Sequence, residues 1–100
     1  KSDANHVPET ISLFPAYPNP FNPGTSLQYH LSIESYVNLT IYDMLGREVS
    51  QLVSEIQSPG TQSVQWNATD NFGKSVSAGI YLYQIQSGGF IQTKKIVLLK

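Results

Sequence analysis

The chain has 100 residues, 40% of them hydrophobic, with a net charge of −1 and no cysteine. This length suits a single domain, and the lack of cysteine excludes both a disulfide framework and a thiolate metal site. Six basic residues without a clustered stripe are too few for a nucleic-acid interface. No apolar run approaches the ~18 residues of a membrane-spanning helix, so the composition predicts a globular domain without a transmembrane segment.

The first quarter of the chain is rich in proline. Residues 1–10 are polar and lack hydrophobic periodicity, which predicts a linker, and residues 11–14 predict a short first strand. Three prolines follow within residues 17–23, and each restricts the residue before it to extended conformations. This segment is therefore predicted to cross between strands in a stiff form, with Tyr17 and Phe21 anchoring it to the core.

The next segments alternate between apolar and polar residues, which predicts two half-buried strands. Their apolar positions are Leu27, Tyr29, Leu31 and Ile33, then Val37, Leu39 and Ile41. A polar turn follows at residues 43–46, where Gly46 is free to take a positive φ. In residues 47–56 the apolar positions change phase, which predicts a bulge or an edge strand rather than the alternative, a helical turn.

The second half of the chain predicts three more strands. A turn at residues 58–60 leads into a strand with Val64 and Trp66 facing the core, and a polar loop at residues 67–74 ends near Gly73, which is also expected at positive φ. A final hairpin occupies residues 75–100. Both of its strands carry apolar residues on both faces, which is typical of strands inside a sheet rather than at its rim.

Together these segments predict an all-β fold, an antiparallel β-sandwich of about seven strands. The residues expected in its core are Trp66, Tyr29, Leu39, Ile41, Ile80 and Leu82.

No group of residues in the sequence suggests catalysis. His6 and His30 have no spaced partners, so metal ligation is not expected. Residues 70–73 resemble part of a calcium loop but lack its spaced carboxylates, and an aspartate-capped turn explains them better. The sequence therefore predicts no enzymatic activity, no metal and no cofactor. Aromatic side chains on one face could bind sugars, but core packing explains most of them better.

Charge is distributed unevenly along the chain. Residues 1–70 carry −5, whereas residues 71–100 carry four lysines and no acid. Such a basic end could attract an acidic partner. The alternative is that its lysines protect an edge strand from aggregation, and the small number of charges slightly favours this alternative.

Five motifs stand in order along the chain. They are Tyr17-Pro18-Asn19-Pro20-Phe21-Asn22-Pro23; Ile41-Tyr42-Asp43 with Gly46-Arg47-Glu48-Val49; Trp66-Asn67 with Asp70 and Gly73; Ser77-Ala78-Gly79-Ile80-Tyr81 with Tyr83; and Thr93-Lys94-Lys95-Ile96-Val97-Leu98-Leu99-Lys100. Their order and spacing resemble the type A C-terminal sorting domain of type IX secretion. The same core resembles the Ig-like domain of the flagellar hook-cap protein. The chain departs from the pattern at Asn67-Ala68, where many members have Asp-Gly.

The resemblance implies an Ig-like sorting domain at residues 11–100, joined by the linker at residues 1–10 to a cargo domain in a Gram-negative bacterium. It implies recognition by the outer-membrane translocon or its shuttle proteins, and removal by a surface sortase that cuts in the linker. The cargo would pass through the periplasm and reach the outer-membrane surface or the medium, commonly attached to an anionic lipopolysaccharide.

The resemblance also assigns roles to individual residues. The residues in motifs tied to recognition are Gly79, Tyr81, Lys94, Lys95 and Lys100. The residues in motifs of an architectural kind are Asn19, Pro20, Gly46 and Gly73. The alternative function is a structural or carbohydrate-binding Ig-like accessory module. A chain that ends at Lys100 would favour sorting, and a further domain beyond it would favour the alternative.

Overall fold

A computed structural model describes residues 11–99, which form seven strands and no helix. The strands are β1 (Ile11–Leu13), β2 (Thr25–Leu31), β3 (Ser35–Tyr42), β4 (Glu48–Gln57), β5 (Gly60–Trp66), β6 (Gly79–Ser87) and β7 (Phe90–Leu98). They make two antiparallel sheets, ordered β1-β2-β5 and β4-β3-β6-β7, that share one hydrophobic core. The prediction of a seven-stranded antiparallel sandwich is confirmed.

Most of the predicted core is buried, because alternate side chains of a strand point to the same face. The aromatic centre of the core is Trp66, which is 1% exposed. Its ring centroid lies 5.6 Å from that of Phe21 and 5.3 Å from that of Tyr81, and its Nε1–H donates to the carbonyl of Thr69 at 2.8 Å. The indole is therefore both packed and satisfied in its hydrogen bonding.

The predicted orientation of β6 is wrong. Ile80 is 41% exposed and Leu82 is only partly buried, whereas Tyr81 and Tyr83 point into the core. Both phases of this strand are apolar, so periodicity could not choose between them. The tyrosines can occupy the inner face because their hydroxyls donate to main-chain carbonyls there, Tyr81 to Ser77 at 2.5 Å and Tyr83 to a carbonyl of residue 14 at 2.8 Å.

Two predictions near β2 also need correction. Tyr17 is 81% exposed and does not anchor the proline-rich segment to the core. Of the two predicted anchors only Phe21, at 2% exposure, is buried. The Tyr17 main chain instead exchanges two hydrogen bonds with Ser26, at 2.9 and 3.1 Å, and this bridge holds the backbone while the ring faces solvent. Ile33 lies beyond the end of β2 in the turn to β3, so it leaves the buried phase and is exposed.

The phase change in β4 has the predicted origin. The register between β3 and β4 shifts twice, between Leu39 and Thr40 and between Ile41 and Tyr42. At the first shift Leu39 pairs with Val53 and Thr40 with Gln51, so Leu52 is the extra residue of a bulge. β4 is also an edge strand, so the predicted bulge and edge position are both confirmed.

Two turns, at residues 43–47 and 70–74, have the same hydrogen bonds. In each, the carboxylate of the first residue, an aspartate, accepts from the N–H groups two and four residues later, at 2.9 and 3.0 Å. The fourth residue is a glycine at positive φ, 84° for Gly46 and 82° for Gly73, as predicted. Both turns are therefore set by local sequence alone.

Replacing Gly46 or Gly73 with alanine is expected to lower the free energy of unfolding by about 1 kcal/mol or more, because alanine is strained at positive φ. A Cβ at either position would meet nothing within 4 Å, so the cost is conformational and not steric. The matched control is Gly89→Ala, which has the same open surroundings without a strained φ. Urea unfolding should show a lower free energy of unfolding for Gly46→Ala and Gly73→Ala than for Gly89→Ala, and equal stability of all three variants would contradict the prediction.

Candidate recognition surface at the β7 edge

β7 is the last strand of the four-stranded sheet and pairs with β6 along its whole length. The prediction from its two apolar faces, that this strand lies inside a sheet, is therefore wrong, whereas the edge position assumed in the alternative interpretation of its lysines is correct. Two of its apolar residues, Ile96 and Leu98, nevertheless point into the core at 0% and 1% exposure. The outer edge of the same half of β7 is covered by the proline-rich segment.

The covering segment bonds to β7 as a short parallel strand would. Phe21 forms a parallel bridge to Leu98, donating its N–H to Val97 O and accepting from Leu99 N–H, both at 2.9 Å. The side chain of Asn19 continues the pattern, with Nδ2 donating to Lys95 O at 3.2 Å and Oδ1 accepting from Val97 N–H at 3.0 Å. We name residues 19–21 the clamp.

The chemistry of the clamp explains its sequence. Pro18 and Pro20 have no N–H, so the backbone on either side of Asn19 cannot donate to a ladder. A primary amide carries both a donor and an acceptor, as a peptide group does, and Asn19 supplies them from its side chain. The family resemblance implied an architectural role for Asn19 and Pro20, and the sequence analysis did not identify β7 as the strand that Asn19 contacts. The available signal was an amide side chain flanked by prolines.

Gly79 and Tyr81 are brought to the same end of the domain as the clamp. Gly79 pairs with Leu98 and Tyr81 with Ile96 across β6 and β7. The Tyr81 ring is 7% exposed and packs edge-on against Trp66. Burial raises the pKa of its hydroxyl, and the nearby Asp43 carboxylate adds to the increase. Tyr81 thus belongs to the core of the domain and not to its surface.

The two lysines of β7 lie on opposite faces of the sheet, since consecutive residues of a strand alternate. Lys95 is exposed on the outer face, opposite Leu82, and Lys94 is partly buried on the inner face, opposite Tyr83. Neither has an ion-pair partner within residues 11–99. Lys100 lies outside the described residues.

Apolar side chains share the outer face of this sheet with Lys95. Leu82 lies opposite Lys95, and the pair Ile80–Val97 is next along the two strands. Ile91 and Leu99 lie farther away on this face, at 55% and 50% exposure. A cation among accessible aliphatic side chains can contribute to binding through both charge and contact area.

An open cleft of about 320 Å³ lies at the opposite edge of the sheet. Its acids already have partners: Asp43 pairs with Arg47 at 2.9 Å, and the carboxylate of Asp70 is bonded to its own turn. The main-chain N–H of Arg47 is the main cause of the lowered pKa of Asp43. No group of three or more metal-ligating side chains occurs in the described part of the chain.

The one histidine within residues 11–99, His30, has no neighbouring group that would form a catalytic or metal-binding pair. Nδ1 of His30 lies 3.3 Å from the Thr61 hydroxyl on the exposed face of β2, and His6 lies outside the described residues. A membrane-spanning helix is not found among residues 11–99.

Two antiparallel sheets around one core define an Ig-like β-sandwich domain. The sequence model of the secretion system C-terminal sorting domain matches residues 15–99, and the chain belongs to this family. It is a C-terminal sorting domain of type IX secretion, as its motifs indicated, and such a domain implies export to the cell surface or the extracellular space.

Solved structures share this fold. The chain is similar to part of latent PorU from Porphyromonas gingivalis, with a TM-score of 0.73 and 20% identity over 95% of this chain and 10% of that one. It is similar to PorZ, a surface component of the type IX secretion system of the same organism, with a TM-score of 0.62 and 20% identity over 88% of this chain and 11% of that one. The chain thus spans about a tenth of the length of PorU and PorZ.

A flagellar protein has the same architecture. FlgD from Xanthomonas campestris, whose structure gave insights into the hook capping essential for flagellar assembly, matches with a TM-score of 0.60 and 20% identity over 89% of this chain and 65% of that one. At this identity the likeness shows the fold alone. A comparison with curated protein sequences gave no match.

Proposed function

We propose that residues 11–100 are a non-catalytic sorting signal that follows a cargo domain. The signal directs the exported precursor from the periplasm through the type IX translocon, or to its shuttle proteins, and a surface sortase then cuts in residues 1–10. The observation that carries this proposal is the match of the family model over residues 15–99.

The construction of the β7 edge supports a role as a signal. The Asn19 side chain bonds to the main chain of Lys95 and Val97, which lie 76 and 78 positions later in the chain. The edge therefore exists only after both ends of the domain have been made and have folded together. A receptor that reads this edge would select complete, folded domains and reject partial ones.

Recognition residues can be divided by their surroundings. In this proposal Lys94, Lys95 and Lys100 contact an acidic receptor; the exposure of Lys95 supports its part in the contact, and Lys94 is partly buried. Gly79 and Tyr81 act through the shape of the β6–β7 hairpin, since Tyr81 is buried. Asn19, Pro20, Gly46 and Gly73 maintain the architecture that presents this edge.

The proposed function is tested with a reporter that is exported to the periplasm and fused to residues 11–100. In a host with type IX machinery, the fusion should reach the cell surface. Reporter that stays in the periplasm of a competent host would contradict the sorting function and favour the alternative, a structural or carbohydrate-binding module.

Lys94→Gln with Lys95→Gln tests the charge contact. The double variant should keep its free energy of unfolding within about 0.5 kcal/mol, because neither cation is paired in the described chain. Export should fall, leaving folded reporter in the periplasm. The two single variants serve as controls, and the exposed Lys95 should account for most of the loss. Normal export of the double variant would overturn the charge contact and leave recognition to shape.

A further inference from the structure

Within residues 11–99, no segment covers the first half of the β7 edge. The main-chain groups that meet the clamp belong to Lys95, Val97 and Leu99. Alternate residues of a strand direct their N–H and C=O groups to the same side, and β7 pairs with β6 without a register shift. The corresponding groups of Ile91 and Thr93 therefore also point off the sheet, where no described strand lies beside them.

The opposite edge of the sheet is covered in a similar way at one end. The N–H of Asn71 donates to Val49 O at 3.0 Å, and its side-chain oxygen accepts from Gln51 N–H at 2.8 Å. Beyond the bulge, no segment within residues 11–99 pairs with this edge either. Following the register across β6 and β3, the outward N–H groups there belong to Ser54 and Ile56.

Charge distinguishes the β7 edge from the other strands at sheet edges. β7 contains Lys94 and Lys95 and no acid, whereas β4 contains Glu48 and Glu55 and no base. β5 contains no charged residue, and β1 has only three residues. An acidic strand would be attracted to β7, repelled by β4 and indifferent to β5.

We propose that Ile91–Lys95 is a strand-addition site for an extended, acidic segment of a partner protein. The segment forms a fifth strand beside β7, end to end with the clamp, and bonds to the outward main-chain groups of Ile91 and Thr93. Consecutive acidic side chains on it face Lys94 on one side of the sheet and Lys95 on the other. The inference rests on the proposed function, since it names how the sorting partner would be held.

The clamp supports this mode of binding directly. It shows that the outward main-chain groups of β7 accept an extended segment, through two bonds to the main chain of Phe21 at 2.9 Å and two to the side chain of Asn19 at 3.0 and 3.2 Å. The exposed Ile91 gives the added strand an apolar neighbour on the outer face. Lysines on an edge discourage pairing with copies of the same basic strand, and they favour pairing with an acidic one.

The decisive variants are Ile91→Pro and Ile56→Pro in the full 100-residue chain. Each replaces an exposed isoleucine and removes an outward N–H, one on each edge of the same sheet. Proline is tolerated on an edge strand where the N–H faces away from the sheet. Their melting temperatures should therefore fall by similar amounts.

The binding probe is a capped eight-residue peptide with two adjacent glutamates at its centre and valine or threonine elsewhere, so that one glutamate faces each side of the sheet, and the control peptide replaces both glutamates with lysine. Amide exchange followed by NMR should show that the acidic peptide, but not the lysine peptide, protects the N–H groups of Ile91 and Thr93. This protection should decrease at high salt. Ile91→Pro should weaken binding about tenfold, and Ile56→Pro should leave it unchanged. If Ile91→Pro does not fold, Lys95→Glu replaces it and should also weaken binding.

Three outcomes would overturn the strand-addition site. They are absence of protection at Ile91 and Thr93, equal binding of both peptides, and protection that rises with protein concentration alone, which would make a second copy of the chain the occupant. Export of the reporter fusion is scored separately. A failed fusion with intact peptide binding counts against the sorting function, and normal export of Ile91→Pro counts against the strand-addition site.

Discussion

Replacing Trp66 with alanine is expected to lower the free energy of unfolding by about 3–5 kcal/mol, the range for a fully buried large aromatic residue. The indole is 1% exposed and contacts the rings of Phe21 and Tyr81. Its removal leaves a cavity and also deprives the Thr69 carbonyl of a donor. Since small domains are stable by only about 5–15 kcal/mol, the variant should be close to unfolding at 37 °C.

The matched control for this loss is Phe72→Ala. Phe72 is also aromatic but is 90% exposed at the tip of the second aspartate turn, so its removal should change stability by no more than about 0.5 kcal/mol. Trp66→Phe should fall between the two, because it keeps a ring in the core and loses the bond to Thr69. Urea unfolding checks the order, and a Trp66→Ala loss as small as that of Phe72→Ala would contradict the packing described for the core.

Removing residues 93–100 is expected to abolish both stable folding and export. The truncation deletes the buried Ile96 and Leu98, each of which contributes about 2–5 kcal/mol on the scale of core truncations. It also deletes every β7 group that bonds to the clamp, so Asn19 and Phe21 lose their partners. The combined loss is comparable with the whole stability of a small domain.

Removing Lys100 alone is the control for this truncation. It keeps every contact described for β7, so the melting temperature should be unchanged. If Lys100 takes part in recognition, export should nevertheless fall. Circular dichroism and the surface reporter assay separate the two effects. A truncation to residue 92 that still melts cooperatively near the original temperature would show that β7 is not integral to the fold.

Local features of the fold could be predicted well because their causes lie within a few residues. Each of the two aspartate turns needs only an aspartate, a glycine at positive φ three residues later, and the N–H groups two and four residues after the aspartate. The bulge in β4 was visible as a change of apolar phase. In β2 and β3 only one phase was apolar, so the buried face followed from the sequence.

The candidate site was predicted less completely. The motifs pointed to the right end of the chain, but they grouped Lys94 and Lys95 as equivalent charges. A strand places neighbours on opposite faces, and the partners across β6 and β7 decide which lysine meets solvent. Tyr81 stood among the same motifs, yet its ring lies in the core, where Trp66 and the Ser77 carbonyl receive it.

By itself, the amino-acid sequence determined the class of the fold, the positions of its turns and the family, since these depend on periodicity, local hydrogen bonding and ordered motifs. Only the tertiary structure decided which face of β6 is buried, because that strand is apolar on both faces and hydroxyl partners made the choice. It also decided that β7 lies at the edge of its sheet, with part of its outer side covered by Asn19 and Phe21 from the other end of the chain. Contacts between residues so far apart leave no periodic trace in a single sequence.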